Sequence, residues 1–202
     1  GNTASYGGGG LRLDNSGTTT VSGVQFTANV ATYNGGAIES DQNQLIRLVD
    51  NTFSGNRSTN GSAGAVMLSS LGQGEITGDN QFLNNYARYE AGAIFIQFAP
   101  MVTIDGATVT GNTAGRHVGA IHVTNQSQVV LSECTITQNT ATEAHGAIIV
   151  HGKSTATITG STIADNDAAS WGGALDVYDS MVTLDDNLIQ GNTSAGACGA
   201  IS

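Results

Sequence analysis

The sequence predicts an all-β solenoid, a parallel β-helix of about seven 27-residue coils with three short strands each, and three observations predict it. An asparagine returns at a near-constant interval, a large apolar residue stands three positions before it, and a Gly-Ala-aliphatic segment begins seven or eight positions after it. Self-similarity at a period of about 20–50 residues marks an array in which each unit buries its apolar face only against its neighbours.

The asparagine column is Asn2, Asn29, Asn56, Asn85, Asn112, Asn139, Asn166 and Asn192, at steps of 27, 27, 29, 27, 27, 27 and 26 residues. A buried amide at a turn is satisfied when it donates to an identical amide in one neighbouring coil and accepts from another, so the column reads as a structural ladder. Three positions earlier come Phe26, Phe53, Phe82, Val109, Ile136, Ile163 and Ile189, and two positions after each Asn stands Ala or Ser. These columns are read as scaffold.

The Gly-Ala-aliphatic segments start at Gly36, Gly64, Gly92, Gly119, Gly146, Gly173 and Gly199, and Gly9-Gly10-Leu11 replaces them in the first coil. The alternation that follows puts Leu13, Leu68, Ile96, Val123, Val150 and Val177 on the aliphatic side, with Ser40 the exception. A second alternating pair comes later in the coil, as in Ile46/Leu48, Val102/Ile104 and Val129/Leu131. Three strands in so short a repeat leave no room for crossovers within a flat parallel sheet, so they must close as a coil and stack. Residues 1–202 are thus one continuous β-helix.

Composition narrows the function classes. Six Lys+Arg against 16 Asp+Glu give a net charge of −10, and the basic residues are spread singly, so there is no phosphate-tracking stripe for nucleic acid or anionic lipid. No apolar run reaches the roughly 18 residues of a membrane span. Cys134 and Cys198 lie 64 residues apart in different phases of the repeat, which argues against a bridge. The chain opens at Gly1 without Met or a signal segment, and both ends fall at nearly the same phase without a cap. The expectation is a segment of a longer rod, or chains that self-associate end to end.

The two motifs carry a resemblance. Phe26-Thr27-Ala28-Asn29, Phe53-Ser54-Gly55-Asn56 and Phe82-Leu83-Asn84-Asn85 match F-x-x-N, while Gly35-Gly36-Ala37-Ile38 and Gly172-Gly173-Ala174-Leu175 match G-G-A-[ILV]. Paired in this way they resemble the repeats of the polymorphic outer-membrane proteins of chlamydiae. That resemblance implies a right-handed parallel β-helix on a secreted or surface-exposed protein, with adhesion as its role. The C-terminal membrane barrel of that family has no counterpart in these residues.

On a solenoid, function is sought in outward columns and loops. The outward centre of the first strand reads Arg12, Glu39, Met67, Phe95, His122, Ile149 and Asp176. Met67, Phe95 and Ile149, with Phe98 and Met101, are either surface apolars under a loop or a lateral docking patch. Tyr33, Tyr89 and Trp171 lie in the loop after the asparagine and are candidate glycan contacts, with turn packing as the plain alternative. His117, His122, His145 and His151 fall in two adjacent coils, with Glu90 and Glu143 close in phase, but no tight ligand spacing accompanies them, and they read as solvated loop histidines. Glu39 and Asp176, five coils apart, are too far apart for paired-carboxylate chemistry. Broken threonine columns argue against ice binding. Asn60 and Asn125 are candidate N-glycosylation sites in loops, whereas the sequons at Asn56 and Asn192 belong to the ladder.

The sequence therefore calls for no catalytic residue, cofactor or metal. It points to a non-enzymatic extracellular or cell-surface rod, an adhesin stalk or filament segment that associates with itself or with a host or matrix glycan or protein. A carbohydrate-binding or polysaccharide-active β-helix is the alternative.

Overall fold

A computed structural model describes all 202 residues as 29 short strands with no helix. All strand pairing is parallel between successive coils, and equivalent strands stack into four sheets, one of eight strands and three of seven. One coil shows the unit: Leu11–Asp14, Thr18–Ser22, Gln25–Thr27 and Val30–Ala31. The first three are the expected strands. The fourth is only two residues long and follows the ladder asparagine directly, which is too short for alternation to be visible.

The turn into that fourth strand explains the F-x-x-N motif. The residue before the asparagine is left-handed in successive coils, with Ala28 at φ 53°, Gly55 at 62°, Asn84 at 54°, Gly111 at 68° and Gln138 at 56°. This reverses the chain so that the asparagine side chain enters the turn. Each asparagine from Asn2 to Asn166 then donates both its backbone N–H and its Nδ2 to Oδ1 of the asparagine in the following coil, at 2.9–3.0 Å. From Asn56 onward, Nδ2 also donates to the carbonyl of the motif's apolar residue one coil earlier, as Asn112 does to Phe82 at 2.9 Å. The amide is thereby saturated without water, and the expected ladder is what the structure contains.

Inside the coils lies one core of 36 buried residues, and Phe26, Phe53 and Phe82 stack in it with ring centroids 5.1 and 4.7 Å apart. The exceptional Ser40 is also buried, and its hydroxyl accepts from Asn43 Nδ2 at 2.7 Å. The glycine of each Gly-Ala segment is required by close approach: a Cβ on Gly64 would run into the Gly92 carbonyl and the Tyr86 backbone. Cys134 is buried and Cys198 exposed, both unpaired, and burial pushes the Cys134 thiol up to about 11.

The proposed docking patch is corrected by this geometry. Met67, Phe95 and Ile149 do point away from the core, yet they are only 5%, 6% and 7% exposed. The loop after the fourth strand folds back over Met67 and Phe95, and Ala63 and Ala91 pack with them in a small second cluster. Phe98 and Met101 remain exposed, at 55% and 53%, so the apolar column contributes no lateral face.

Candidate functional site

The same fold-back builds the candidate site. In each coil the outward strand residue faces the overlying loop, and contacts run from a loop to the strand of the following coil. In the first coils this face is closed: Glu39 carries an ion pair with Arg12 at 3.2 Å, and burial, partly offset by Arg12, raises its pKa. Towards the C-terminal coils it opens into a cleft of about 540 Å³.

Two columns meet in that cleft. The strand column is set by parallel register, Phe95 beside His122, His122 beside Ile149 and Ile149 beside Asp176, while His151 lies two residues after Ile149 on the same face. The loop column consists of Glu90, His117 and His145, with Glu90 bridged in parallel to His117, and Trp171 follows in the next coil. Val118, Ile149, Val177 and Tyr178 supply the apolar wall.

The columns interlock through polar contacts offset by one coil. His145 Nδ1 lies 2.5 Å from Asp176 Oδ2, and His122 Nδ1 lies 3.6 Å from Glu90 Oε2. The Nε2 atoms of His122 and His151 face each other at 2.6 Å. The rings of His117 and His145 are 5.9 Å apart, and His122 packs against Phe95 with ring centroids 4.4 Å apart. His117 Nδ1 and His122 Nδ1 are buried without a hydrogen-bond partner.

Burial dominates the electrostatics. It holds His122 well below the usual imidazole range, with further lowering from His151, His145 and His117. Burial also lowers His151 and His145, against the opposing pull of Glu90 on the first and of Asp176 on both. His122, His145 and His151 therefore line the cleft at neutral pH as uncharged rings, the form that offers a lone pair.

By sequence, these read as solvated loop histidines of two adjacent coils. The structure instead buries His122 and gathers all four. Asp176, set aside because Glu39 is distant, finds its partner in His145. The available signal was a one-coil offset between loop and strand phases, which becomes readable only once the loop is known to fold back.

The glycan candidates do not converge. Tyr33 packs against Tyr6 at 5.5 Å, Tyr89 donates its hydroxyl to Asn60 at 3.2 Å in a separate shallow pocket, and Trp171 lines the cleft. Of the sequon residues, Asn60 is exposed and Asn125 half-buried, whereas Asn56 is fully buried and Asn192 half-buried.

Fold and site together define an all-β repeat protein, a right-handed parallel β-helix of about seven coils. The family model described as a right-handed β-helix region matches residues 119–201, the stretch that carries most of the cleft. The chain matches no curated protein and no solved structure at a significant level. No helix is long and apolar enough to cross a membrane.

Proposed function

We propose that this β-helix serves as a non-enzymatic structural and adhesive rod, a segment of a stalk or filament exposed outside the cell. The observation that carries the reading is the unbroken ladder: the seven asparagine junctions from Asn2 to Asn192 all carry both hydrogen bonds. A continuous parallel stack is suited to holding a distance and presenting a long flank. The resemblance of its two motifs to chlamydial surface proteins supports the same reading. Small-angle scattering and electron microscopy of the chain, with binding measured on immobilised matrix proteins and glycans, test it. A rod at about 4.8 Å per coil that binds one of these surfaces is expected. A compact particle, or a rod inert on every surface, overturns it.

The cleft favours a second reading, a carbohydrate-binding or polysaccharide-active β-helix, because Trp171 and Tyr178 offer ring faces to a sugar beside the His145–Asp176 pair. Release of reducing ends from a polysaccharide panel, lost in Asp176→Asn, is its test. No release and no glycan binding remove it.

A further inference from the structure

We propose that the histidine cleft binds a divalent transition-metal ion of the imidazole-preferring class, such as Zn²⁺, Cu²⁺ or Ni²⁺, through Nε2 of His122 and His151 with His145 as the third ligand. This goes beyond the rod reading, which makes no use of the cleft.

The first argument is the orientation of the rings. A ligating histidine usually gives its other ring N–H to a carboxylate, which fixes the tautomer and raises the basicity of the ligating nitrogen. Asp176 stands on Nδ1 of His145 at 2.5 Å, which leaves that ring's lone pair on Nε2, and Glu90 stands on the Nδ1 side of His122 at 3.6 Å. One carboxylate holds His145 in this sense, and a second is placed to hold His122 in the same sense, just beyond hydrogen-bond reach.

The second argument is independent. His122 is 4% exposed, and its Nδ1 has no hydrogen-bond partner. An unpaired buried donor costs about 1–3 kcal/mol, and the carboxylate that would satisfy it stands just beyond reach. An ion on Nε2 polarises the ring, strengthens Nδ1–H as a donor and draws Glu90 onto it. Without the ion, the facing Nε2 atoms of His122 and His151 must share one proton, which His151 supplies when His122 carries its own on Nδ1. When the ion enters, that proton leaves Nε2 of His151 and Nδ1 of the same ring is protonated from solvent, so the neutral ring keeps its proton count.

The geometry sets the movement required. Two imidazole nitrogens at about 2.0–2.1 Å from one tetrahedral ion lie about 3.3 Å apart, whereas Nε2 of His122 and of His151 are now 2.6 Å apart. The rings must part by about 0.7 Å to reach that spacing. His151 can give way, since it ends its strand and is followed by Gly152 at φ 68°. No three ligands are preassembled, so His145 completes the site by turning in from its loop. An anionic ligand is disfavoured because Glu90 and Asp176 face the same space.

The test titrates the untagged chain with Zn²⁺ alone by calorimetry, and with Co²⁺ alone by its visible absorption. One ion per chain is expected, with the absorption of a low-coordinate nitrogen site. His151→Ala, at a half-buried strand end, is expected to weaken binding at least tenfold, His122→Phe to abolish the Co²⁺ band, and Glu90→Gln to weaken binding about tenfold by loosening His122. Circular dichroism establishes that each variant is folded. A native chain that binds neither ion, or binding unchanged in folded His151→Ala and Glu90→Gln, overturns the proposal.

Discussion

Replacing Asn112 by Ala removes one rung from the middle of the ladder. Four hydrogen bonds disappear: Nδ2 to the Phe82 carbonyl and to Asn139 Oδ1, and the two from Asn85 that end on Asn112 Oδ1. The backbone bond from Asn112 N–H to Asn139 Oδ1 survives, because Ala keeps its amide. Four buried bonds at about 1 kcal/mol each put the loss near 4 kcal/mol, and the buried N–H of Asn85 is left without its acceptor. Asn112→Asp is at least as costly, since it keeps the acceptor but sets a carboxylate against Phe82 and Asn139 oxygens. Asn2→Ala, which removes only one part-buried side-chain bond, costs about 1 kcal/mol or less. Urea denaturation followed by circular dichroism gives the stability, and hydrogen exchange at the Asn85 amide reports the orphaned donor. A loss below about 1 kcal/mol in Asn112→Ala, or unchanged exchange at Asn85, would refute the claim that the ladder holds the coils together.

Three further outcomes follow from the same structure. Phe53→Ala empties the centre of the Phe26–Phe53–Phe82 stack and is expected to cost about 3–5 kcal/mol by urea denaturation, with Phe53→Leu costing less. Gln138→Gly relieves a left-handed residue at φ 56° and is expected to stabilise by about 0.5–1 kcal/mol, the strain of about 1–2 less the entropy glycine adds to the unfolded chain, read as a higher Tm. His122 titrates lower in the folded chain than its ordinary 6.5, so below that value the unfolded chain takes up the proton first. Stability is then full above about pH 6.5 and falls as pH drops towards the folded pKa, with a slope of up to about 1.4 kcal/mol per unit. His122→Phe, which extends the Phe95 column, is expected to flatten that fall in Tm between about pH 6.5 and pH 5.

What could be read from sequence depended on whether a role demands one residue type. The ladder position needs a donor and an acceptor on one short side chain, so asparagine fills it in every coil. The other two turns need only an acceptor for the N–H of the preceding coil. Asn51, Asn80, Ser161 and Asn187 accept at one of them, and Asn43, Ser127, Ser154 and Ser180 at the other. Mixed in this way, they form no visible column. The cleft was hidden for a different reason. Alternation tells which side chains leave the core, but not whether a loop will return over them, so His122 and Asp176 read as surface while Met67 and Phe95 stand between apolars under a loop and a face for a partner.

The ladder has a direction. Every rung from Asn2 to Asn166 gives its backbone N–H and one Nδ2 hydrogen towards the next coil, and from Asn29 on each offers its side-chain oxygen towards the previous one, so the stack has a polarity along the axis. Two such stacks can be joined without losing bonds in only one way, with the donor end of one against the acceptor end of the other. Reversing either sets hydrogens against hydrogens or oxygens against oxygens in a place water cannot reach. Whatever extends this ladder end to end, in the same chain or a second copy, must point the same way.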